Sequence, residues 1–323
     1  MEKIVVTGAG GFLGRSLSIS LAKKGYKVLA LDNNSRGDLF LLKNINNLEL
    51  KKMDILNEKD LIKATESSSV IFHLAAINGT PNFYSRPKEV LEVGIIGTHN
   101  VLKAVIKNKV KKFIFASSAE VYNNPSTIPT DEKIEFKIPD VSNSRFSYGG
   151  SKIAGELMTF NYLKNQGTQF VIFRPHNVFG PNMGFEHVIP QIIEKIYISK
   201  LKNDNKCKIK IQGSGNETRS FIYIDDAISG IEICSLKNHD SGIYNVGVDK
   251  ETSIRELIIK ISEILSIKVD IVYSDIPEGS PIRRLPNVTK LKKLGFNPNY
   301  DFIEELNETV KWYWKYFINR DKS

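Results

Sequence analysis

Cysteine is nearly absent, with Cys207 and Cys234 the only two in 323 residues. Two thiols cannot build a disulfide framework or a cysteine-rich zinc site, so a stapled secreted fold and a zinc module are both excluded. A reducing compartment, the cytoplasm, fits that composition. Long apolar runs are missing too. None approaches the roughly 20 residues of a membrane helix, and the first apolar run begins at Ile4, leaving no room for a signal peptide. No internal repeat or low-complexity tract is visible. Long like-charge runs are also lacking. The 45 basic and 36 acidic residues give a net charge of +9, but the lysines come as scattered doublets such as Lys23-Lys24 and Lys292-Lys293. No aromatic-interleaved basic strip accompanies them, so a solvated surface is expected and no nucleic-acid partner.

What is present is ordinary for a globular α/β protein: 41% hydrophobic and 25% charged residues. In the first half, short β-branched runs at Ile4–Thr7, Val28–Leu31, Val70–Leu74 and Phe113–Ala116 alternate with stretches of helical spacing. That rhythm predicts βαβ units feeding a doubly wound, Rossmann-type parallel sheet covered on both faces. Leu48–Met53 is more polar and would sit nearer an edge or alternate its faces; Phe170–Phe173 continues the sheet. Helices are expected over Phe12–Lys24, Arg86–Lys107 and Tyr148–Asn165. Beyond Pro175 the loops lengthen and elements shorten. The expected division is a nucleotide-binding domain over 1–175 and a smaller α/β substrate domain over 176–323, woven onto the first. In the second half Ser253-Ile-Arg-Glu256 is a capping box, and Phe302, Leu306, Val310, Tyr313 and Phe317 form one apolar helical stripe, read as core.

Gly8, Gly11 and Gly14 lie in a turn between the first strand and the first helix, with Phe12 and Leu13 inside the motif. Such a turn aims backbone N–H groups at a pyrophosphate on the positive end of a helix dipole. Asp32, 18 positions after Gly14 at the end of strand two, would accept bonds from an adenosine ribose and repel a 2′-phosphate. NAD is therefore favoured over NADP, although Arg15 and Arg36 stand close by.

Tyr148 and Lys152 are four apart at the start of a predicted helix, so they share a face. An ammonium there stabilises a phenolate and lowers the tyrosine pKa. Such a phenolate can take a hydroxyl proton as a hydride leaves the same carbon. Tyr84 and Lys88 have the same spacing with Pro87 between them, so spacing alone does not choose. Position does: Ser117-Ser118, about 30 residues earlier, close a strand whose carboxyl end faces a cofactor crevice.

Together these residues resemble the extended short-chain dehydrogenase/reductases, specifically the NAD-dependent nucleotide-sugar epimerase/dehydratase family, including UDP-glucose 4-epimerase-like enzymes. The likeness runs nearly the whole chain, through Asp54-Ile55, His73-Leu-Ala-Ala76, Ser117 to Tyr122, Arg174 to Pro181, Arg219 to Asp226 and Arg283 to Asn287. It implies that Asp54 and Ile55 hold the adenine and that Ala75 and Ala76 form the loop beside the nicotinamide-side phosphates. Lys152 would bind the nicotinamide ribose, Tyr148 would be the acid/base, and Ser118 would share the proton with the sugar hydroxyl. Asn177 and Arg219 would meet the diphosphate of a nucleoside-diphosphate sugar, Arg284 would match a substrate-binding arginine of sugar-acid decarboxylases that is widespread among epimerases too, and Val188, within His187–Ile193, would lie beside the nucleotide base. A homodimer through the helices near Arg86–Lys107 and Tyr148–Asn165 is also implied.

Three positions depart from the family pattern. Gly94 stands where an asparagine is common, Asn123 replaces a frequent glycine, and Ala119-Glu120 follow Ser118. Dehydratases of this likeness carry a Thr-Asp-Glu set there; Glu120 matches the Glu, while Ala119 removes the Asp. A 4-epimerase is the first expectation. A C4 dehydrogenase, a 4,6-dehydratase or decarboxylase using Glu120, and a non-catalytic NAD-binding scaffold are the alternatives. His73 reads as a satisfied histidine at a strand end, and Asp225-Asp226 as an N-cap.

Overall fold

The computed structural model describes residues 2–202, 207–237, 240–276 and 278–322. Six strands from the first half, β1 (Lys3–Thr7), β2 (Lys27–Asp32), β3 (Leu48–Lys52), β4 (Val70–His73), β5 (Lys112–Ala116) and β6 (Gln169–Pro175), join a seventh, Gly242–Val246. Their order is Gly242–Val246, β6, β5, β4, β1, β2, β3, and every neighbouring pair is parallel. β3, the polar run, takes the edge.

Period-two alternation explains why the sheet is buried on both sides. Ile4, Val6, Val28, Ala30 and Phe72 point into one core, while Val5, Leu29, Leu31, Ile71 and Phe113 point into another. Helices Phe12–Lys23 and Ile224–Glu232 pack on each other over the first face. A second apolar centre joins helices Val188–Leu201, Ile254–Leu265 and Phe302–Arg320 to the paired strands Cys207–Gln212 and Val269–Ser274. The stripe Phe302, Leu306, Val310, Tyr313 and Phe317 is buried there, as its spacing predicts. Ser253 caps its helix by accepting from the Glu256 N–H at 3.0 Å.

Register sets the site. Thr7 pairs with both Leu31 and His73, and His73 with Phe115. Gly8, Asp32, Leu74-Ala75 and Ser117-Ser118 therefore leave the sheet along one carboxyl rim. The order reverses between β1 and β4, the switch point where open parallel sheets bind ligands.

One expectation is refined and one is corrected. The predicted helix Arg86–Lys107 runs unbroken from Pro87 to Lys107, but with a π-turn at Glu92–Gly97 between its α-helical ends Pro87–Leu91 and Thr98–Lys107. The π-turn is closely packed: a Cβ on Gly94 would lie 2.6 Å from Ser151, and one on Gly97 2.4 Å from Ile55. Asp225 and Asp226 do not cap; Tyr223 holds the N-cap position, and Asp226 accepts from the Asn299 N–H at 3.1 Å.

Candidate active site

A cleft of about 1480 Å³ runs along the rim and into the second half of the chain. That exceeds the usual span of one small-molecule pocket, about 300–1,000 Å³, and leaves room for a cofactor and a substrate together. At its floor Gly8 has φ +71°, and a Cβ there would lie 2.7 Å from the Ala75 nitrogen. A Cβ on Gly14 would sit 2.0 Å from the Gly8 carbonyl oxygen. Only glycine permits this approach of turn, helix and loop. Gly11 is the N-cap of Phe12–Lys23, with no side-chain cap and no acidic residue in the first turn. The positive helix end is thus left for an anion. Phe12, Leu13, Ala75 and Ala76 line the same wall.

Asp32 shapes this turn as well as facing it: its carboxylate accepts from the Gly10 N–H at 2.9 Å and the Asn34 N–H at 2.8 Å. Asp54 accepts from Leu56 N–H and Asn33 Nδ2, and Ile55 is buried beside it. Arg36 is occupied by Glu186 at 2.9 Å and Arg15 reaches the Asn182 carbonyl at 3.3 Å. A cradle that no side chain can fill, a bare helix start and a carboxylate at the second strand's end together fit a dinucleotide. Gly14→Ala is expected to abolish NAD retention and to lower stability, because the helix must move off the Gly8 carbonyl; cofactor content after purification and thermal unfolding check it.

Ser118 ends the β5 rim and caps the short 3₁₀ turn Ala119–Tyr122, its hydroxyl accepting from the Glu120 N–H at 3.2 Å. Tyr148 and Lys152 rise from the first turns of helix Phe146–Leu163. The Tyr148 ring is 6% exposed and stacks on Phe83, centroids 5.0 Å apart and planes 8° apart. Lys152 is 3% exposed, donates to the Ala116 carbonyl at 2.7 Å and faces the Phe115 and Tyr148 rings at 5.0 and 5.6 Å. Tyr84 and Lys88, the rival pair, fall on two separate helices.

The electrostatics differ from the simple lysine-lowers-tyrosine expectation. Burial pushes the Tyr148 phenol above its ordinary range, with its Ser118 hydrogen bond offsetting part and nearby Glu120 adding to the rise. Burial also brings Lys152 down to about 7, opposed by Glu156. Burial outweighs any mutual help between the two groups.

Glu120 accepts from Arg284 at 2.7 Å and Arg145 at 3.4 Å. Burial alone would raise its carboxyl, but Arg284, Arg145 and Arg219 overcome that and hold it near 2. Arg219 and Arg284 are register partners on the short parallel strands Thr218–Arg219 and Arg283–Arg284, which sets their guanidinium groups side by side. Arg284 is buried, and its Nε and Nη2 have no partner. Three guanidinium groups against one carboxylate leave this wall positive. Asn177, at φ +32°, donates to the Ser220 carbonyl at 3.1 Å, and Val188 opens its helix; both line the cleft.

Arg145, Phe83 and Glu186 escape the sequence reading. Arg145 stands one turn before Tyr148, so extending the tyrosine motif backwards would have found it; no local signal marks the other two. Beneath the pair, Glu156 binds buried Arg174 at 2.5 Å and accepts from Ser117, tying helix, β5 and β6 together.

A glycine cradle at a helix start, joined to the half-buried Ser118 and the buried Tyr148 and Lys152, fits an enzyme that uses a dinucleotide. Residues 4–247 match the NAD dependent epimerase/dehydratase family, and the chain belongs to it. It is 31% identical to a UDP-N-acetyl-alpha-D-glucosaminuronate decarboxylase of Bacillus cytotoxicus, over 97% of this chain and 98% of the relative. Among solved structures, a UDP-N-acetylglucosamine 4-epimerase from Methanobrevibacter ruminantium superposes with TM-score 0.85 at 31% identity, covering 99% of both chains. A UDP-glucose 4-epimerase from Thermotoga maritima gives 0.87 at 26% identity, covering 98% of this chain and 99% of its own.

Proposed function

We propose that the chain is a nucleoside-diphosphate-sugar 4-epimerase that works through a transient 4-keto sugar and keeps NAD through the cycle. The observation that carries this reading is the convergence of Ser118, Tyr148 and Lys152 beside a dinucleotide cradle and opposite a wall of arginines. Gly8, Gly11, Phe12, Leu13 and Gly14 would hold the pyrophosphate, Asp32 a ribose, Asp54 and Ile55 the adenine end, and Ala75 and Ala76 the nicotinamide side. NAD, when bound, supplies the hydride acceptor and a positive charge. Tyr148 takes the C4 hydroxyl proton, relayed by Ser118, and returns it after the keto sugar has turned its other face. Lys152 steadies the phenolate. Arg219, Arg284 and Asn177 would bind the diphosphate, and Val188 would border the base.

Glu120 favours epimerisation over dehydration. A carboxylate clamped by Arg284 and Arg145 and held near 2 is a weak base toward a C5 proton, and Ala119 offers no acid. The test is product mass after incubation with a panel of nucleotide sugars. An unchanged mass in a new chromatographic peak supports the epimerase; loss of water, carbon dioxide or two hydrogens names dehydratase, decarboxylase or dehydrogenase instead. No product from any sugar, with NAD bound, points to the scaffold.

The assembly we propose is a homodimer. Leu157 and Phe160 are 55% and 49% exposed one turn apart on the Tyr148 helix, which packs on the segment Pro87–Leu91 where Leu91 is also exposed. Leu157→Asp is expected to shift the solution mass from about twice 36.5 kDa to 36.5 kDa by light scattering. No helix of the described residues is long and apolar enough to cross a membrane. Cys207 and Cys234 are free and buried, in keeping with reaction in the cytoplasm.

A further inference from the structure

We infer that His73 is a positioning residue, locked as the neutral Nε2–H tautomer, which couples the cofactor loop to the helix that carries Tyr148 and Lys152. The role rests on the oxidoreductase reading of that pair; the tautomer rests on hydrogen-bond accounting alone. Each link has one proton to place. The Thr98 hydroxyl donates to the Gly94 carbonyl at 2.7 Å, and a carbonyl can only accept. Thr98 Oγ1 therefore meets His73 Nε2, 3.0 Å away, as an acceptor, so the proton sits on Nε2. Nδ1 is then bare and accepts from the Thr7 hydroxyl at 2.7 Å. Thr7 Oγ1 in turn accepts from the Ala75 N–H at 3.3 Å.

The chain of bonds thus starts at Ala75, on the loop against which Gly8 packs, and ends at Gly94 in the π-turn. Gly94 is pressed on Ser151, between Tyr148 and Lys152, and Ser151 Oγ donates to the Tyr148 carbonyl at 2.8 Å. The opposite tautomer would set two lone pairs face to face at Nε2 unless Thr98 abandoned Gly94. A doubly protonated ring is opposed by complete burial and by nearby Lys152, which together bring His73 down to about 3. Gly94 gains meaning as well: with no side chain of its own, the π-turn is held through its backbone by Thr98. A π-turn adds one residue to a helix and is tolerated where such a feature has a use.

Two measurements test this on the whole protein with its cofactor. Long-range ¹⁵N–¹H spectra of ¹⁵N-histidine-labelled protein are expected to show His73 with Nε2 protonated and Nδ1 bare from pH 6 to 9; a protonated Nδ1 overturns the assignment whether or not a substrate has been found. Thr98→Val keeps size and removes the link. Its kcat is expected to fall about tenfold, with KM for the nucleotide sugar within twofold and NAD content unchanged, and Thr98→Ser should restore kcat. Equal kcat in Thr98→Val and wild type overturns the coupling, as does a loss that Thr98→Ser fails to recover. Inactivity of the wild type on every nucleotide sugar would count against the proposed function and leave the spectra decisive for the tautomer.

Discussion

Tyr148→Phe should lower turnover by about 10²–10⁴-fold, the range by which a positioned acid/base speeds a reaction, while the protein folds and binds NAD as before. The ring itself is structural. It is buried and stacked on Phe83, and phenylalanine keeps that packing. What the substitution removes is the hydroxyl and its hydrogen bond to Ser118. Since Ser118 also accepts from the Glu120 N–H, its rotamer has a second anchor and the rim should hold. Measured kcat, with cofactor content and thermal unfolding as controls, separates a chemical defect from a folding one. An unchanged kcat would show that another group moves the proton and would remove the mechanism assigned to this site.

The parts of the fold legible in the sequence are those in which local pattern and tertiary need agree. The strands β1, β2, β4 and β5 read as continuous apolar runs because a parallel sheet buries both faces. The glycine turn was legible for a similar reason: Gly8 and Gly14 stand where any Cβ would strike backbone, so the constraint is written as residue type. The rest depends on partners distant in the chain. Gly242–Val246 becomes a strand by pairing with β6, and Arg219 meets Arg284 across a two-residue ladder too short to have a period. The π-turn was invisible because one extra residue in a helix barely disturbs apolar spacing. Glu120 was identified, but its character was not. Only the structure brings Arg145 and Arg284 onto it, and that contact turns a candidate base into a clamped anion.

Lys152→Met is expected to give a protein that is inactive yet more stable at neutral pH, with a stability gap that closes as pH rises. Lys152 is 3% exposed, and burial brings it to about 7 from its ordinary 10.5. A base whose folded pKa is depressed binds fewer protons in the folded than in the unfolded chain between those two values. Wild-type stability therefore climbs with pH from about 7 to about 10.5, by at most about 1.4 kcal/mol per pH unit for one proton. Below that window the folded protein carries a desolvated ammonium, offset by its bond to the Ala116 carbonyl and its position against the Phe115 ring. Methionine carries neither the charge nor those contacts, so its curve lacks this slope. Unfolding in urea at several pH values between 7 and 10, on cofactor-stripped protein, reads the difference directly. A gap that stays constant across that range would mean that Lys152 keeps an ordinary pKa in the folded protein. A gap that narrows would show that the folded protein gives up the Lys152 proton well below 10.5, because this cleft holds an ammonium only at a cost to stability.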